Sequence, residues 1–193
     1  MSESHDPERS CRAYAPDVEA FWVERAKHAA GTASFEGALS RVIPVAAAVS
    51  DRFTTERPEQ FRDYHQNSET LLAYGIFFFP QSWCRVRFAL AEAADLRGWA
   101  VPADRPVRIL DLGAGTGAAG LSAARWCLSR GAPSARLDAV DHSPAALRVL
   151  EELARATPAP RGDVRVATRA ADLGGPWAAT FPGPYDTCWS RSR

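Results

Sequence analysis

Apolar and polar positions follow a helical period through the first half of the chain. From Asp17 to about Trp99 the large apolar residues recur three or four positions apart, first Val18, Phe21 and Trp22, then Leu39, Val42, Ile43 and Ala46. That spacing lays one apolar stripe along a helix. Asp17 is a candidate cap for the first helix, Thr55 or Glu56 with Pro58 opens another, and Asn67 or Ser68 precedes Glu69-Thr70-Leu71-Leu72. Ile76-Phe77-Phe78-Phe79 is short and apolar enough for a buried strand. Pro80 follows at once, however, and Trp83, Val86, Arg87, Leu90 and Ala94 resume helical spacing. The pattern therefore predicts a helix that breaks at Pro80 and a second that runs to Leu96.

Past the turn-rich Val101-Pro-Ala-Asp-Arg-Pro106 the period changes. Val107-Arg-Ile-Leu-Asp-Leu112 is a short, largely apolar strand, Thr116 to Arg130 a helix, and Arg136 to Asp141 a strand again. Ser143 caps a further helix with Pro144 at its first position, running to about Ala156 with Leu147, Leu150 and Leu153 on one face. Asp163-Val-Arg-Val-Ala167 reads as a third strand. Such alternation predicts an α/β fold with a parallel sheet and right-handed crossovers, preceded by an α-helical N-terminal region. The division falls at residues 1–100 and 101–193.

Candidate chemistry gathers where the first strand gives way to its helix, at Asp111-Leu-Gly113-Ala-Gly115-Thr-Gly117. A glycine cluster in that context is meaningful, because the backbone must turn sharply and let a ligand approach where a Cβ would clash. The helix N-terminus beyond it offers free amide donors. Asp141 ends the next strand, where a carboxylate can accept hydrogen bonds from both ribose hydroxyls of a nucleoside. Gly113, Gly115 and Ala118 also satisfy the dinucleotide pattern G-x-G-x-x-A. Two features count against it. Asp111 would repel a pyrophosphate, and Asp141 lies 30 residues beyond Asp111, longer than the roughly 20 of the dinucleotide fingerprint.

At these residues the sequence resembles class I S-adenosylmethionine-dependent methyltransferases, whose first motif has the form acid-x-G-x-G-x-G and whose second strand ends in a ribose-binding acid. The resemblance implies a Rossmann-like sheet with S-adenosylmethionine as cofactor. It also implies that Gly113, Ala114, Gly115 and Gly117 pass its methionine and ribose moieties, that Asp111 orients the charged methionine end, that Asp141 takes the ribose hydroxyls, and that His142 neighbours the adenine. Asp172-Leu173 falls where the family places a polar residue near the adenine amino group, although Asp before Leu-Gly-Gly equally shapes a turn.

Upstream, Leu72-Ala-Tyr74-Gly-Ile-Phe-Phe-Phe79-Pro80-Gln81, followed by Val86 and then Leu110-Asp111-Leu-Gly, resembles the methyltransferase-like family of small-subunit mitochondrial ribosomal proteins and their bacterial relatives. That resemblance covers residues 67 to 141. It implies work on ribosomal RNA or in assembly of the small ribosomal subunit, with the N-terminal helices capping the cofactor. A non-catalytic assembly or RNA-binding factor that keeps the nucleotide fold is the alternative.

The family places its substrate-side motif at the end of the fourth strand. Here Gly183-Pro-Tyr185-Asp186 leads toward that strand, yet Thr187-Cys-Trp-Ser-Arg-Ser-Arg193 is not an apolar run. The expectation is an incomplete sheet of about three strands in a truncated chain, with weak cofactor binding, no methyl transfer and no catalytic residue to name.

Composition adds exclusions. Apolar residues make up 46% and charged residues 24% of 193, and no apolar run approaches the roughly 20 residues that span a bilayer. The N-terminus is polar, without a secretory signal, so a soluble, cytoplasmic protein with no membrane partner is expected. Cys11, Cys84, Cys127 and Cys188 are too scattered for a metal site, and none is predicted. Acidic and basic residues balance at 23 each, so no global field draws the protein to nucleic acid. Lys27 is the only lysine; with abundant Ala and Pro, the Arg bias fits a GC-rich coding sequence better than an RNA-binding adaptation.

Overall fold

The computed structural model describes residues 14–55, 67–175 and 183–190, with the side chains of 52–55 left out. Cys11 and the predicted helix start at Glu56 and Pro58 lie outside the described residues. Among the described residues, three N-terminal helices, α1 (Pro16–Ala30), α2 (Phe35–Thr55) and α3 (Ser68–Arg97), precede β1 (Val107–Leu112), α4 (Ala118–Ser129), β2 (Ser134–Asp141), α5 (Pro144–Ala156), β3 (Asp163–Ala170) and β4 (Thr187–Ser190). The four strands form one parallel sheet in the order β3-β2-β1-β4. The fold is thus α/β with a Rossmann-like parallel sheet and a helical N-terminal region. Among the described residues no helix is long and apolar enough to cross a membrane.

The chain steps from β1 to β2 to β3 in one direction, so right-handed crossovers put α4 and α5 on the same face of the sheet. The N-terminal helices add a layer outside them. Consequently α4 is buried almost all round, from Gly120 through Leu128, which explains a sequence that is apolar or small on every side. Ser122 Oγ donates to the Trp83 carbonyl of α3 at 2.8 Å, and Trp99 stacks on Trp126 at 6.1 Å. The helices expected to cap a cofactor therefore make these contacts along the outer face of α4. One apolar cluster runs from Val18 in α1 to Leu153 in α5.

Two predicted helix details change. The helix expected to break at Pro80 is continuous from Ser68 to Arg97. Proline removes one backbone bond and costs about 3 kcal/mol in a helix interior. Phe79 and Trp83, both 0% exposed, flank it and stack at 5.9 Å, with Trp22 5.4 Å from Phe79. Burying each such aromatic contributes roughly 1.5–3 kcal/mol, so keeping both in place outweighs the lost bond. Gln81 Nε2 donates to the Phe77 carbonyl and ties the same turn. Trp22 seats in a notch at Gly75, where a Cβ would lie 2.1 Å from its ring.

Asp17 does not cap α1. Ala15 holds the cap position without a side-chain bond, Pro16 starts the helix, and the Asp17 carboxylate instead forms a two-pronged pair with Arg125 of α4. Asn67 and Ser143 do cap their helices, accepting from Glu69 N–H and Ala146 N–H.

The sheet also gains a strand over the expected three. Thr187–Ser190 pairs in parallel with Ile109–Leu112 of β1. It alternates half-buried and exposed positions, with Trp189 against the core, as a strand at the end of the sheet order can, so no continuous apolar run is needed. Its lead-in is bolted to the sheet. Arg105 donates to both oxygens of Asp186, at 2.8 and 2.6 Å, while Arg108 N–H donates to Asp186 Oδ2 and Asp186 N–H to the Arg108 carbonyl. Tyr185 O–H donates to the buried Asp138 under the Arg108 guanidinium. Burial and that bond push the Tyr185 phenol up to about 12.

The hydrogen bonds from Arg105 hold the Asp186 carboxyl below its usual range. A depressed folded-state value contributes stability above the unfolded carboxylate value, about 4, and loses it as pH falls through the lowered one. Asp186→Asn is expected to lower Tm at pH 7 by about 2–4 °C, with the gap to wild type narrower at about pH 3. Thermal unfolding at both pH values checks this, and an unchanged Tm at pH 7 would show that the clamp does not hold β4.

Candidate functional site

All four strands are parallel, so their C-terminal ends share one edge of the sheet. The strand order reverses beside β1, since the chain passes through β2 and β3 on one side and returns to β4 on the other. Open α/β sheets form their ligand crevice at such a switch point. The glycine segment that follows β1 sits there.

Gly113, Gly115 and Gly117 all hold positive φ, at 74°, 54° and 87°, a region that L side chains enter only at a steric cost. Gly117 is constrained twice, because a Cβ there would lie 2.2 Å from Leu150 Cδ1 of α5. The turn is pinned to β2 by main-chain bonds: Gly113 N–H and Ala114 N–H both donate to the Val140 carbonyl, at 2.8 and 3.0 Å, and Gly117 N–H donates to the Ala114 carbonyl.

Two buried carboxylates finish it. Asp111, 2% exposed, accepts from Gly120 N–H at 2.8 Å, so an acid on the strand caps the first turn of α4, where the helix dipole favours negative charge. Asp141, 3% exposed, accepts from Gly115 N–H through Oδ2 and from Ser143 N–H through Oδ1, each at 2.8 Å. It thereby bridges the β1–α4 turn and the start of α5. The His142 ring is half-exposed, with Nδ1 3.3 Å from Asp141 Oδ1.

Asp111, Gly113, Ala114, Gly115, Gly117, Asp141 and His142 are therefore gathered at one end of the sheet. Asp172 and Leu173 follow β3 on the same edge, and Ala171 N–H donates to the Asp141 carbonyl. The exposed Asp172 shapes a turn, its carboxylate accepting from Gly174 N–H and its carbonyl from Gly175 N–H.

Two residues escaped the sequence reading. Thr116, 0% exposed, lies inside the turn with its hydroxyl unpartnered; nothing about a threonine between glycines signals that. Gly120 supplies the amide that Asp111 accepts, and a glycine one turn into a helix was the available sign of a close approach.

Compared with known proteins, the chain matches no protein-family model and no curated protein.

Asp141→Ala leaves the Gly115 and Ser143 amides without their acceptor. An orphaned buried donor costs roughly 1–3 kcal/mol, so the variant is expected to lose about 3 kcal/mol in urea unfolding. Asp141→Asn keeps one acceptor oxygen and is expected to lose about half as much.

Proposed function

We propose that the glycine turn binds S-adenosylmethionine and that the protein is a class I methyltransferase-type domain serving ribosomal RNA or assembly of the small ribosomal subunit. The observation that carries this reading is the Asp141 carboxylate at the end of β2, held within 2.8 Å of the Gly115 amide of a three-glycine turn. A strand-end acid against such a turn suits a nucleoside, because each carboxylate oxygen retains a second lone pair for a ribose hydroxyl.

Asp111 supports this cofactor over a dinucleotide. Its buried carboxylate occupies the first-turn Gly120 amide of α4, and its charge would repel a pyrophosphate brought to that helix end. The same charge suits the ammonium of a methionine moiety. The unpartnered Thr116 hydroxyl, fully buried in the turn, also fits a polar ligand. Asp141 would take the ribose, His142 would flank the adenine, and Asp172-Leu173 would lie by its amino group. Bound there, the cofactor supplies an electrophilic sulfonium methyl, and the protein's task is to hold it in line with a nucleophile. The ribosomal assignment rests on the resemblance of residues 67 to 141.

One observation favours a second reading, a non-catalytic assembly or RNA-binding factor. Both oxygens of Asp141 are engaged by main-chain amides in a site 3% exposed, so the acid also serves as a structural bolt.

A ligand raises the folded-state midpoint only if it binds that state. S-adenosylmethionine is expected to raise Tm by a few degrees at about 100 times its Kd, whereas NAD leaves it unchanged. A shift with NAD alone would overturn the cofactor assignment. No shift with either ligand would select the second reading.

A further inference from the structure

The long helix α3 is apolar on two opposite sides. Its 30 residues bury Phe79, Trp83, Val86 and Leu90 against the rest of the fold. At about 100° per residue, Phe77, Gln81, Arg85, Phe88 and Glu92 fall on the reverse side, and all five are exposed. The solvent stripe of a surface helix ordinarily carries polar residues. Here Phe77 is 36% exposed, Phe88 59%, and Leu96, at the margin of the stripe, 73%. Single exposed apolar side chains are common, but these three lie along one line. Together they present roughly 300 Å² of apolar surface.

Charge beside that line is sorted along the helix. Arg85 stands on the N-terminal side of Phe88, and Glu92 and Asp95 on the C-terminal side, all of them exposed. Arg85 reaches Gln81 of its own chain at 3.5 Å, the long limit of a hydrogen bond, and keeps donors for a further acceptor. The acids disfavour an anionic lipid surface as the occupant. A copy of the same helix laid parallel would set Arg85 beside Arg85; laid antiparallel, it brings Arg85 to Glu92.

The apolar residues fit the same antiparallel arrangement. A two-fold axis crossing α3 between Val86 and Arg87 lays Phe77 beside the partner's Leu96. Helical side chains lean toward their own N-terminus, which brings the two Phe88 rings together at the axis and closes Arg85 on the partner's Glu92. Each off-axis contact then occurs twice, as a self-complementary interface requires.

We propose that this outer face of α3 is a homodimer interface, with α3 packed antiparallel on α3 of a second copy. Phe88 meets Phe88 at the axis, flanked on each side by an Arg85–Glu92 pair and a Phe77–Leu96 contact. The apolar area is well short of the about 800 Å² per partner of a standard stable interface, so the dimer is weak and reversible, with a Kd of about 10–100 µM. The face lies opposite the one that packs inward, and the proposal does not depend on the methyltransferase reading.

Sedimentation velocity of the full chain from about 1 µM to 1 mM tests this, the range that spans such an affinity. A monomer–dimer equilibrium is expected. Phe88→Asp is expected to weaken it at least about tenfold, because two acids then meet at the axis, while Tm stays unchanged at so exposed a position. Arg85→Glu and Glu92→Arg are each expected to weaken it about fivefold or more. An equimolar mixture of those two variants should regain the loss, since one presents only acids and the other only arginines at the paired positions. A chain still monomeric at about 1 mM, including one that floats with phosphatidylcholine vesicles instead, would overturn the proposal. So would a dimer indifferent to Phe88→Asp, or a mixture of the charge variants that associates no better than either alone.

Discussion

The Asp141 carboxylate joins two pieces of backbone, the glycine turn after β1 and the start of α5. One oxygen holds the Gly115 amide of the β1–α4 turn and the other the Ser143 amide that opens α5. Because the turn also hangs from the Val140 carbonyl, its three left-handed glycines are fixed against the end of β2 rather than free to sample the conformations glycine allows. A carboxylate buried to 3% exposure keeps its place by accepting such bonds. The acid that could meet a ribose and the acid that shapes the turn are therefore the same group.

Behind this edge the architecture is arranged around α4. Asp111 caps its N-terminus from beneath, Leu150 closes on Gly117, Ser122 bonds the Trp83 carbonyl, and Arg125 reaches Asp17. The helix is enclosed on one side by the sheet and on the other by α1 and α3, with the strand-end crevice at its start. The Trp22–Phe79–Trp83 stack holds the outer layer on, with enough buried aromatic area to keep α3 continuous through Pro80. Polar clamps at Asp186 and Asp138 secure β4.

Much of this was legible in the sequence, for local reasons. The βαβ alternation, the glycine turn, Asp141 at a strand end and the Ser143-Pro144 helix start are each written within a few residues, and backbone chemistry allows them few alternatives. What escaped depends on partners distant in sequence. Pro80 announces a break that only the packing of Trp22 against Phe79 overrides. Asp17 carries the signature of a cap until Arg125 takes its carboxylate. Thr187-Cys-Trp-Ser lacks the apolar run of a central strand, and its pairing is secured by Arg105, about 80 residues away in sequence. The buried Thr116 hydroxyl leaves no periodic or spacing signal, because its burial arises where separate elements meet.

Amide hydrogen exchange with and without saturating S-adenosylmethionine tests the central claim most directly. The turn anchored by Asp141 is taken to be the cofactor site, so exchange at residues 113–117 and at Asp141 to Ser143 should slow on addition of the ligand, while the amides of α3 stay unchanged. Unaltered exchange across the turn, with protection appearing elsewhere or nowhere, would contradict it.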